Sequence, residues 1–66
     1  MIRTTNAYDA MLLIDPFSID AVEYVSDNKC VRVYVQGTQF TMLAKVFEAD
    51  VLPAIEEESK YGSLND

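Results

Sequence analysis

Residues 30–36 read Cys-Val-Arg-Val-Tyr-Val-Gln, and no other stretch restricts the fold as tightly. Val31, Val33 and Val35 recur at period two, with Arg32, Tyr34 and Gln36 between them. On a helix these valines would scatter around the axis. On a strand they share one face, where β-branched side chains pack well against a pleated surface. The stretch is therefore a strand with an apolar side and a mixed side, and its neighbours in sequence supply partners for it. Residues 21–26 alternate as well, Val22 and Tyr24 facing one way and Ala21, Glu23 and Val25 the other. Asp27-Asn28-Lys29 is turn material, because Asp and Asn tolerate left-handed backbone angles. Gly37-Thr38 permits a tight hairpin, and residues 39–44 return with Phe40 and Met42 on one face. Residues 21–44 thus spell a three-stranded antiparallel meander.

Upstream, residues 9–15 form a short apolar run that predicts a further strand, although a run of this length is also compatible with a helical turn. Pro16 has no amide hydrogen for a ladder, so the strand ends there. Residues 16–20 then make a turn, with Asp15 and Asp20 as local caps. Downstream, the period changes. Phe47, Val51 and Ile55 fall four apart, with Leu52 and Ala54 beside them, which is one stripe of an amphipathic helix. Pro53 lies inside that stripe, where an interior proline would cost about 3 kcal/mol. Two arrangements avoid or absorb that cost. In the preferred one a short turn covers 46–49, and a main helix over 51–61 uses Asp50 as N-cap and holds Pro53 in its first turn. That helix pairs Glu56 with Lys60 and stops at Gly62. In the other, a helix from about residue 46 is kinked at Pro53. The expected fold is α+β: a small antiparallel meander of three or four strands, with one C-terminal amphipathic helix packed on one face, in a single domain spanning residues 1–66.

Size bears on association. A chain of 66 residues buries only roughly 60% of the surface it exposes when unfolded, and such domains are usually stapled. One cysteine, Cys30, cannot close an internal disulfide, and with no histidine the common zinc sites cannot be built within one chain. Association with a copy of itself is the staple that remains, so a homo-oligomer is expected, a dimer first. The N-terminus lacks the basic start and apolar stretch of a secretory signal, and Ala-Met-Leu-Leu-Ile is far too short to span a bilayer. A lone thiol fits a reducing compartment, so a cytoplasmic protein without membrane contact is expected.

The net charge of −6 is unevenly placed. Residues 1–45 hold four cations against five anions, a net of −1, while residues 46–66 hold Lys60 against six anions, a net of −5. Phosphate backbones repel such a surface, which argues against nucleic-acid backbone binding. Glu56, Glu57 and Glu58 sit 100° apart on a helix and cannot converge on one metal. They form either a solvated helix face or an electrostatic contact for a basic protein partner.

Catalytic constellations fail one by one. Without histidine there is no Ser-His-Asp or Cys-His arrangement. Gly37 is isolated, so no glycine-rich phosphate loop exists. Cys30 reads as a strand thiol rather than a nucleophile, since no histidine accompanies it as a base. The expectation is a non-enzymatic protein without cofactor. The mixed side of the meander offers a different use, because it carries Val25, Cys30, Arg32, Tyr34, Thr41 and Leu43. Arg and Tyr are enriched at interface hot spots. The candidate interface residues are accordingly Arg32, Tyr34, Val25 and Leu43, together with Glu56, Glu57 and Glu58. The competing reading is that the 9–15 run or the N-terminal arm covers this side.

Ser18, Ile19, Val22 and Tyr24, followed by Val33, Gly37 and Phe40 and then an acidic terminal helix, resemble two small-protein patterns over residues 18 to about 58. Ile19, Val22, Val33, Gly37 and Phe40 are similar to the FlbD-like flagellar family, a resemblance that implies a flagellar regulatory role. Ser18, Ile19, Val22 and Tyr24 look like the opening of the KTSC domain, which has no settled activity and is found alone and beside lysyl-tRNA synthetase. Neither resemblance implies a catalytic residue. In size and charge the chain is also similar to small acidic phage proteins that disable a host component. The functional expectation is a protein-binding module of that inhibitor type acting as a homo-oligomer. The alternatives are an oligomer that sequesters a nucleotide between subunits through Tyr24, Tyr34 and Arg32, or a regulator of the FlbD-like kind.

Overall fold

The computed structural model describes residues 1–57. In chain order its elements are β1 (Ile2–Thr5), β2 (Met11–Ile14), a 3-10 turn (Pro16–Ser18), β3 (Ile19–Val25), β4 (Cys30–Val35), β5 (Thr38–Leu43) and α1 (Ala44–Asp50). A further helical segment covers residues 52–57. The fold is α+β. β3, β4 and β5 form an antiparallel sheet in that order, while β1 and β2 pair separately as a two-stranded ribbon.

The meander register places the side chains in rows. On the core face Tyr24, Val31 and Met42 form one row, Val22, Val33 and Phe40 the next, and Ile19, Val35 and Thr38 the last. Val31, Val33 and Met42 are completely buried, as the alternation predicts. The tight hairpin is built one residue earlier than the sequence suggests. Val35 pairs with Thr38, so the two-residue loop is Gln36-Gly37, both at positive φ (47° and 87°), as a type I′ turn requires. The turn before β4 also begins early, with Ser26, Asp27 and Asn28 in succession at positive φ. Asp20 is not a local cap. It is the extra residue of a bulge in β3, and its Oδ2 accepts from the Gln36 N–H at 2.7 Å, which ties the bulge to the hairpin. Asp15 does cap, accepting from the Phe17 N–H at 3.0 Å and opening the 3-10 turn.

The ribbon is the element that sequence reasoning only half found. Residues 11–14 are a strand, as expected, and their partner is β1, built on the β-branched Ile2, Thr4 and Thr5. Asn6 holds the connecting loop, its Oδ1 accepting from the Tyr8 and Ala10 amides. Ile2, Leu12 and Ile14 face inward and pack on the same cluster as Val31, Val33 and Met42.

The C-terminal part holds two helical pieces rather than one. α1 starts at Ala44 and is a full helix where only a short turn was expected. Its cap residue is Leu43, whose side chain makes no capping bond, and the Ala44 N–H instead donates to the Lys29 carbonyl at 2.9 Å. The chain breaks at Val51, whose carbonyl accepts from the Ala54 and Ile55 amides and so opens the second piece. Pro53 therefore lies in a first turn, as expected, with Val51 rather than Asp50 at the cap. Asp50 is used elsewhere: its Oδ2 accepts from the Thr4 hydroxyl at 2.7 Å, joining helix to ribbon through the only buried polar side chain among the described residues. Phe47 and Val51 complete the core, with Leu52 and Ile55 packed against it. Lys60 of the expected Glu56–Lys60 pair, the helix end at Gly62 and Glu58 lie outside the described residues.

Candidate functional site

Ribbon and helices both occupy the core face of the meander, so neither covers its other side. This decides the question left open by the sequence. The 9–15 strand is not a lid on the mixed face. The register resolves that face into three rows: Val25, Cys30 and Leu43; then Glu23, Arg32 and Thr41; then Ala21, Tyr34 and Gln39. An apolar strip borders a charged one, and a polar strip closes the array. Leu43 is 42% exposed, a large aliphatic side chain left in water at the sheet edge.

The charged row has an organiser that the sequence reading did not single out. Glu23 Oε1 accepts from Arg32 at 3.1 Å and from the Tyr34 hydroxyl at 3.0 Å. Cross-strand opposition of Glu23 and Arg32 follows from any hairpin that sets Val25 against Cys30, so the pairing was available from loop counting. Both side chains remain about half exposed, and a pair of this kind contributes about 0–1 kcal/mol. Its effect is geometric: one carboxylate oxygen joins the Arg32 and Tyr34 side chains.

Other candidates disperse. Tyr24 lies on the core face, where its hydroxyl donates to Glu48 Oε2 at 2.8 Å. That hydrogen bond, with partial burial and the Glu48 charge behind it, raises the Tyr24 pKa above its ordinary value. Tyr24 and the Arg32–Tyr34 pair are therefore on opposite sides of the sheet, and the three do not line one nucleotide pocket. Glu56 and Glu57 are exposed, but they ride on the helical segment packed against the core face. Glu56 and Glu57 and the Arg32–Tyr34 face therefore lie on opposite sides of the sheet. Cys30 is a half-buried free thiol between Val25 and Leu43.

The side chains most exposed for their apolarity lie elsewhere, on residues 1–17. Met1, Tyr8, Met11, Leu13 and Phe17 are 86, 85, 63, 59 and 69% exposed. In the ribbon, Arg3, Thr5, Met11 and Leu13 form the outer face, because their alternate neighbours point to the core. Next to them is a groove of about 280 Å³ between β2 and the β4–β5 hairpin. β2 and β5 share no ladder; the Ala7 N–H reaches the Thr41 carbonyl, and residues of both strands line the groove. Alternation within residues 9–15 alone does not reveal this patch, because the outer face exists only once β1 pairs with β2.

Among the described residues no helix is long and apolar enough to cross a membrane. A scan against family models, a search of curated proteins and a search of solved structures found no match to the chain.

Proposed function

We propose that this protein is a non-enzymatic protein-binding module that acts as a homo-oligomer, a small acidic inhibitor of the kind a phage directs at a host protein. The uncovered meander face carries the proposal. It sets a preorganised Arg32–Glu23–Tyr34 cluster beside the apolar row of Val25, Cys30 and Leu43. An apolar strip flanked by an ordered arginine and tyrosine is the composition of an interface hot spot. The acidic C-terminal third, with Glu56 and Glu57 in water, adds a field that draws in a basic partner without touching it at the binding face. The test is affinity capture from a bacterial lysate, with wild type beside an Arg32→Ala/Tyr34→Ala double variant. A partner retained by wild type, released by salt and lost from the double variant supports the reading. Failure of the wild type to retain any protein, or equal retention by both, refutes it.

A further inference from the structure

The groove next to the ribbon and the aromatic at its rim form a matched pair. The groove is lined by Leu12, Ile14, Val35 and Phe40, with Asp15 and Thr38 at its polar end. Asp15 and Ser18 both line it, yet Phe17 between them is 69% exposed and does not. A large aromatic in water beside an apolar hollow within the same molecule is the arrangement a two-fold axis satisfies. Rotation about an axis through this rim brings each Phe17 to the groove of the other copy, and the contact closes on itself. We infer that the protein self-associates as a two-fold dimer through the outer face of the β1–β2 ribbon, with Phe17 of each copy seated in the groove of the other.

Area supports a second copy as the occupant. At about 200 Å² for each large side chain, the exposures of Met1, Tyr8, Met11, Leu13 and Phe17 leave on the order of 700 Å² of mostly apolar surface in water. Brought together in one contact, that area approaches the roughly 800 Å² each partner buries in a stable complex. Charge agrees with area. In a chain of net charge −6, residues 1–17 carry Arg3 on the ribbon's outer face, Asp9 in its loop and Asp15 in the groove. Among the described residues Arg3 makes no ion pair. A two-fold axis offers the arginine of each copy to the carboxylate side of the other, whereas the acidic helix remains outside the contact. The arrangement also leaves the Arg32–Tyr34 face open for a different protein.

The inference rests on the self-association in the proposed function, and a knob-and-hole complementation separates the two. Phe17→Ser removes the knob, and Thr38→Trp fills the hole from an exposed strand position, giving up the Thr38 hydroxyl's hydrogen bond to the Val35 carbonyl. Each variant is first shown to be folded by circular dichroism, then followed with wild type by analytical ultracentrifugation over a concentration series. Wild type is expected to dimerise, and each variant to show a dissociation constant at least about thirtyfold higher, the loss of one hot-spot residue per copy. Mixing the two variants restores one intact contact, so heterodimer forms where neither variant alone associates. A wild type that stays monomeric overturns both the inference and the self-association it rests on. A wild-type dimer indifferent to both variants overturns the placement alone, as does a mixture that recovers nothing.

Discussion

Truncating Phe47 to alanine measures how firmly α1 is fixed to the sheet. The ring is 2% exposed and belongs to one cluster with Val31, Val33, Met42 and Val51, all without accessible surface. Those neighbours are held by ladder hydrogen bonds on one side and by the helix break at Val51 on the other, so the cavity cannot collapse freely. Removing a buried phenylalanine in such a setting costs about 3–5 kcal/mol. A chain of 66 residues has only roughly 3–10 kcal/mol in total at the usual stability per residue. With an unfolding entropy of about 2.1 cal/mol/K per residue, or about 0.14 kcal/mol/K for the chain, even the lower cost lowers Tm by about 20 °C. Urea and thermal unfolding followed by far-ultraviolet circular dichroism give both quantities, with Lys45→Ala, an exposed position on the same helix, as control. The control is expected to stay within about 0.5 kcal/mol of wild type. A Phe47→Ala protein that loses less than about 1 kcal/mol, or no more than the control, would refute the packing argument.

Three further outcomes follow from individual residues. Val33→Asp sets a carboxylate between Val22 and Phe40 on the buried face, and the variant should show no cooperative unfolding transition; a melt like that of wild type would mean the strand faces the other way. Gln36→Asn places a residue that tolerates φ near 47° in the type I′ turn before Gly37, and calorimetry should find a gain of about 0.5 kcal/mol, an unchanged or lowered Tm counting against the turn assignment. The Tyr24–Glu48 bond raises the folded-state pKa of Tyr24, so its contribution is complete below the unfolded value of about 10 and is lost as pH rises through the folded value. Alkaline unfolding of wild type should therefore be steeper than that of Tyr24→Phe, and superimposable profiles would contradict the linkage.

The sequence alone determined whatever depends on local period. Valines two apart identified β4 and its buried side, Phe47, Val51 and Ile55 four apart identified the helical stripe, and Asp15-Pro16 marked a capped stop. Each of these follows from backbone geometry within a few residues, where side-chain alternation or helical rise fixes the face. Tertiary structure decided which surfaces meet. β1 went unread because four residues of mixed polarity gain meaning only when Ile2 and Thr4 are set opposite Ile14 and Leu12. Asp20 and Asp50 looked like local caps, yet their carboxylates accept from Gln36 and Thr4, far along the chain. The ribbon packs on the core face and leaves the Arg32–Tyr34 side open, and β2, unpaired with β5, lines a groove with it. Periodicity reports that a face is apolar. Only the packing of distant segments, where burial is won against chain entropy, settles what comes to lie upon it.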